Sequence, residues 1–193
     1  RVPDKLTLQS INKVFTEIYD AWNSDTFFSL IKAFELPTNN QIKTFSRGMR
    51  MKAALTIALS HDAKLLILDE ATAGMDVSGR EHVLEILEDY LGDDRAILIS
   101  SHISEDIEQL ATQLVFMRDG RIILKESKEV LLSQYGIIDQ PVEHFNISNE
   151  YLIATRRRND RQISLVNNYQ KVPDAQPLKT IDDATKIIMR GEV

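Results

Sequence analysis

Hydrophobic and polar positions in this chain follow two periods. From Thr7 to Trp22 the apolar residues Leu8, Ile11, Val14, Phe15, Ile18, Tyr19 and Trp22 recur at helical spacing, which predicts an amphipathic helix with Thr7 as N-cap. Ser24 and Asp25 open a second predicted helix carrying Phe27, Phe28, Ile31 and Phe34, and Pro37-Thr38-Asn39-Asn40 reads as a loop. Phe45-Ser46-Arg47-Gly48-Met49 leads into a helical run from Arg50 to Ser60. Lys64 to Leu68 breaks that rhythm: it is a short, continuous apolar run ending in Asp69-Glu70, and it reads as a strand. Arg80 to Leu91 is helical again, with Val83, Leu84, Leu87 and Leu91 on one face and Gly92 as the expected C-cap. Ala96 to Ile99 is a second apolar strand, followed by Ser100-Ser101-His102. Ser104, as N-cap with Glu105 and Asp106 behind it, starts a short helix.

Strand, helix, strand, with both strands apolar on both faces, predicts a buried parallel sheet covered by helices. Leu114 to Met117 and Arg121 to Leu124 flank Asp119-Gly120, a two-residue hairpin signal. Beyond Gly136 the pattern shortens. Tyr151 to Thr155 and Gln162 to Val166 read as strands, and Thr180 caps a final helix running to Arg190. Arg156-Arg157-Arg158 reads as a solvated turn between those strands, or as a contact for lipid headgroups or a partner. The expected class is α/β, with three parts: a helical unit 1–44, a core 45–135 and a small α/β extension 136–193.

Charge and composition narrow the partners. The net charge of −6 gives no electrostatic reason to expect nucleic acid. The chain has no cysteine, so disulfides and thiolate chemistry are excluded. Its longest apolar runs, such as Leu65 to Leu68, are too short to span a bilayer. Arg1-Val2-Pro3-Asp4 reads as the middle of a loop, so the N-terminus is expected to be an artificial or processing boundary.

Two acids after four apolar residues place both carboxylates at the C-terminal end of a parallel strand, where ligands of open α/β sheets bind. Asp69 is then placed to hold magnesium through water, and Glu70 to polarise an attacking water. Ser46 and Gly48 at a helix start present a hydroxyl and free N–H groups to an anion. His102, just past the second strand, is placed to hydrogen-bond a terminal phosphate oxygen. Taken singly, these are an acidic strand end, an ordinary N-cap and an ordinary histidine.

Their order and spacing are more specific than any piece. Phe45-Ser46-Arg47-Gly48-Met49 resembles the signature motif of ATP-binding-cassette (ABC) ATPases. Leu65 to Glu70 resembles their Walker B strand with its catalytic glutamate, Ala73-Gly74-Met75-Asp76 their D-loop, and His102 their switch histidine. The resemblance runs from about Leu6 to Gln134 and implies a partial P-loop-NTPase-like ABC core of parallel strands flanked by helices. An N-terminal helical subdomain and an exporter-type C-terminal extension complete the implied anatomy. It implies ATP and Mg2+ as cofactors, with Ser46, Arg47, Gly48, Met49 and Asp76 on the nucleotide side, Asp69 assisting the metal, and Glu70 and His102 catalytic. It further implies a head-to-tail dimer with a second ATP-binding subunit, driving a separate membrane permease from the cytoplasmic face of the cell membrane.

Three departures stand out. Arg47 occupies a usual glycine position and Ala71 a usual proline position. None of the seven glycines precedes a lysine, so the 193 residues contain no Gly-x-x-x-x-Gly-Lys-Ser/Thr phosphate loop. The chain is therefore expected to start at the helical subdomain, with the phosphate-loop portion before it, and to be inactive alone. The competing readings are an ABC-type ATPase acting in translation or DNA metabolism, and a non-catalytic regulatory module.

Overall fold

In the computed structural model residues 4–192 are described, so the start of the expected loop at Arg1, Val2 and Pro3 lies outside the described residues. The chain divides into two compact units, 1–103 and 104–193.

The first unit opens with α1 (Leu8–Ile18). Thr7 caps it as expected: its Oγ1 accepts the Ser10 N–H at 3.1 Å. Helix α2 (Ser24–Ala33) opens at Ser24 as expected, with Asn23 as its cap. Asn23 Oδ1 accepts the Thr26 N–H at 2.8 Å, which leaves Ser24 inside the first turn. Helix α3 (Arg47–Leu59) starts earlier than Arg50, because Ser46 is its cap. Helix α2 packs against α1 and α3. Leu8, Ile11, Phe27, Ile31, Phe34, Ile42, Phe45, Ala53 and Leu55 are all buried.

Strands β1 (Leu65–Asp69) and β2 (Ala96–Ser100) pair in parallel, from Leu65↔Ala96 to Asp69↔Ser100, with α4 (Val77–Tyr90) between them in the chain. The parallel pairing follows the expectation, but the two-sided burial does not. Successive side chains of a strand point to opposite faces. Leu66 is buried and Leu68, Ile97 and Ile99 are half-buried on one face. Leu65, Ile67 and Leu98 on the other are 54%, 71% and 60% exposed. A strand apolar on both sides needs two covers, and the described residues supply one. Gly92 does not cap α4 either. Leu91, in extended conformation, is the cap residue, and Gly92 instead bridges to Arg95.

The second unit begins with α5 (Ser104–Leu110), in which Ser104 is the first helical residue and not the cap. Strands β3 (Gln113–Arg118) and β4 (Arg121–Ser127) form the expected hairpin. Asp119 and Gly120 have φ of +51° and +74°, the left-handed pair that a two-residue turn of this hand requires. Helix α6 (Lys128–Gln134) and strand β5 (Gly136–Pro141) follow. Then come β6 (Leu152–Arg158), β7 (Arg161–Val166), the short β8 (Gln176–Pro177) and α7 (Ile181–Arg190). The order β6-β7-β5-β8 is antiparallel throughout. Arg156, Arg157 and Arg158 are strand residues of β6 and not a turn. The reversal falls at Asn159-Asp160, where Asn159 has φ +56°. Thr180 caps α7 as expected, and Ile181, Ala184, Ile187 and Ile188 line its buried face. They share one core with Leu114, Phe116, Leu131, Ala154 and Leu165, so hairpin and four-stranded sheet are built on the same apolar centre.

Tyr135 lies at the edge of that core, 6% exposed, and its hydroxyl donates to Glu126 Oε2 at 3.3 Å. Burial, and secondarily the Glu126 carboxylate, push the phenol up to about 12 from 10.0. The folded chain therefore keeps this proton between pH 10 and 12 while the unfolded chain loses it, and stability falls as pH rises through that window. The expected loss is on the order of 1–2 kcal/mol. Denaturant midpoints measured across the window should show a slope in the wild type that Tyr135→Phe reduces, the remainder coming from groups such as Tyr90 and Lys186 whose pKa values are also raised.

Candidate functional site

The last ladder pair of the parallel sheet, Asp69↔Ser100, sets the geometry at the strand ends. Ser100 Oγ donates to Asp69 Oδ1 at 2.5 Å. The Glu70 N–H donates to the Ser100 carbonyl at 3.1 Å and approaches its hydroxyl oxygen at 3.2 Å. Ser100 thus ties down both acidic residues, a position that sequence reasoning did not single out. Its signal is a register, visible only once the two strands are aligned.

Glu70 itself has φ +52°, a left-handed conformation uncommon outside glycine, asparagine and aspartate. Its Oε2 lies 2.5 Å from Nδ1 of His102. An ionised carboxylate only accepts, so Nδ1 carries the proton and Nε2 remains free to face a ligand. Both side chains are open to solvent, Glu70 at 40% and His102 at 70%. From Glu70 the chain turns tightly: the Ala73 N–H donates to the Glu70 carbonyl at 3.1 Å and the Met75 N–H to the Thr72 carbonyl at 3.2 Å. Asp76 then caps α4, its Oδ1 accepting the Gly79 N–H at 3.2 Å.

Ser46 sits at the start of α3, where its Oγ accepts the Met49 N–H at 3.2 Å. That leaves the hydroxyl proton free to donate, beside the unpaired N–H groups and positive dipole end of a thirteen-residue helix. Arg50 is held back from this turn, donating to the Phe45 and Lys43 carbonyls. The Ser46–Met49 turn adjoins the Gly74–Asp76 turn through Arg47 and Met75. Asp69, Glu70 and His102 form a second group at the strand ends.

Among the described residues no group of three or more His, Cys, Asp or Glu converges to hold a metal. The Asp69 carboxylate, with Oδ1 engaged by Ser100, suits a magnesium ion that keeps most of its waters and takes its other ligands from phosphate. Strand-end acids, a histidine and a serine-capped helix start thus lie on one α/β scaffold.

Residues 3–73 match the family described as ABC transporter. The chain is 37% identical over 116 residues to the lantibiotic transport ATP-binding protein SrtF of Streptococcus pyogenes, covering 60% of this chain and 47% of that one. Among solved structures, a cobalt transport ATP-binding protein superposes with TM-score 0.63 at 18% identity, over 86% of this chain and 60% of that one. A dimeric bacterial ABC transporter cassette superposes with TM-score 0.57 at 18% identity, over 66% of this chain and 59% of that one. At that identity the likeness is one of fold. The chain is similar to ABC transporter ATP-binding proteins and has a mixed α/β fold like that of their cassettes, and its match spans about half the length of the curated relative.

Proposed function

We propose that this chain supplies the half of an ATP-hydrolysing cassette that carries the catalytic base, and that the cassette powers a separate membrane permease and probes nucleotide through the strand ends of β1 and β2. The observation that carries the reading is the Glu70–His102 hydrogen bond beside Asp69. In this reading Glu70 accepts the proton of the attacking water, and Nε2 of His102 meets the γ-phosphate oxygen. Asp69 steadies magnesium through water. Ser46 and Gly48 donate to the γ-phosphate of an ATP held by a second, head-to-tail subunit, with Met49 beside them and Asp76 joining the two subunits. Bound ATP with Mg2+ supplies the phosphoryl group, and these residues orient water, proton and charge around it.

The bare face of β1 and β2 supports this reading, because a sheet interior to a larger core is apolar on both sides. No helix among the described residues is long and apolar enough to cross a membrane. The location in this reading is the cytoplasmic face of the cell membrane. Export is the direction that the Ser-Arg-Gly-Met turn and the C-terminal extension support. The parts 1–44, 45–135 and 136–193 then serve as helical subdomain, catalytic core and extension.

The 193 residues hold no phosphate loop, and a phosphate loop is what fixes the β- and γ-phosphates against such a base. The purified chain is therefore expected to show no ATP turnover, whereas the cassette assembled with a phosphate-loop portion turns over. A steady phosphate release from the chain alone, abolished by Glu70→Gln, would overturn that expectation.

A further inference from the structure

The turns carrying Ser46 and Asp76 precede different helices, α3 and α4, yet side chains cross between them in both directions. A Cβ built on Gly74 would lie 3.1 Å from Cδ and Nε of Arg47 and 3.3 Å from its Cζ, so the arginine side chain rests against the Gly74 backbone. Gly74 also has φ +79°, which side-chain-bearing residues rarely adopt. Conformation and close approach thus both call for glycine there. A Cβ on Gly79 would lie 3.5 Å from Nζ of Lys52, which also reaches across from α3. In return, Met75 comes back toward Gly48, where a Cβ would meet its Cγ at 3.9 Å.

Arginine suits this task. Its stem is long and apolar, and its planar guanidinium is weakly hydrated and packs on flat groups, so it can lie along a peptide backbone. An arginine committed to Gly74 is not extended over the helix start at Ser46. We propose that Arg47 is a positioning residue, which straps the Gly74 turn to the Ser46 turn so that Ser46 and Asp76 are presented in one fixed register. It is not a phosphate ligand. The proposal rests on the cassette reading above and adds to it the device that holds two of its parts together.

Two measurements test it. In the assembled cassette, Arg47→Ala should lower kcat for ATP roughly three- to tenfold with KM unchanged, and Arg47→Lys, which keeps stem and charge but lacks the planar Nε and Cζ that rest on Gly74, should recover only part of the loss. In the 193-residue chain, amide hydrogen exchange at Met75 should accelerate in Arg47→Ala while exchange in β1 stays as in the wild type. Gly74→Ala, which pushes the strap away from the other side, should cost less in the Arg47→Ala background than alone. A raised KM with kcat intact would make Arg47 a phosphate ligand and overturn the proposal. So would unchanged exchange at Met75, or strictly additive effects of the two substitutions. Glu70→Gln in the same kinetic assay separates the two levels of argument. If it leaves turnover intact, the cassette reading fails. If it abolishes turnover while Arg47→Ala is silent, only the strap fails.

Discussion

Glu70→Gln is expected to lower ATP turnover of the assembled cassette by roughly 10²–10⁴-fold while leaving ATP affinity and ATP-driven pairing of subunits intact. Glutamine matches glutamate in size and keeps a side-chain oxygen that can accept from Nδ1 of His102, now 2.5 Å from the carboxylate. The Glu70 backbone bonds to Ser100 do not involve the side chain, so the left-handed turn should survive the exchange. What glutamine lacks is the basicity to take a proton from water. Geometry is thereby separated from chemistry. Single-turnover phosphate release and equilibrium nucleotide binding, measured side by side, decide the matter. Loss of binding with turnover reduced in proportion would make Glu70 an anchor instead of a base.

Phe27→Ala should have the largest effect on stability. Phe27 has no exposed surface, and its ring centroid lies 5.0 Å from Trp22 and 5.6 Å from Phe28. It stands on α2, the helix that packs against both α1 and α3. Removing the ring forfeits its transfer free energy and leaves a cavity that two flanking helices cannot fully close. The cost should be about 3–5 kcal/mol, a large share of the 5–15 kcal/mol typical of a whole domain. Trp22 is the sole tryptophan and touches the ring directly, so its fluorescence reports the loss during urea unfolding. A change below 1 kcal/mol would mean that the ring contributes little to the helical core.

The features legible in the sequence were those whose cause is local. Thr7 and Thr180 announce helix starts because a hydroxyl answers an orphan N–H three residues on. Asp119-Gly120 announces a hairpin because both residues tolerate positive φ. Errors arose where two local answers compete or where the cause is distant. The helical run that reads as starting at Arg50 begins at Arg47, because Ser46 is its cap. Strand β5, ending in Pro141, escaped notice because its definition comes from pairing with β7 and β8 much later in the chain. At the site, Asp69, Glu70 and His102 were readable as residue types following apolar strands. The role of Ser100 was not, since it depends on register between two strands thirty residues apart in sequence. Two-sided hydrophobicity in β1 and β2 was likewise a record of what those strands require, which is not the same as what the described residues provide.

That bare face bears on the carboxylate next to it. By strand alternation Asp69 and Ser100 share a side with Leu65, Ile67 and Leu98, not with the buried Leu66. Any body that packs onto those three aliphatic side chains also displaces water from the Asp69–Ser100 bond and lowers the dielectric around it. Covering of that face and strengthening of the Asp69–Ser100 hydrogen bond are then a single event.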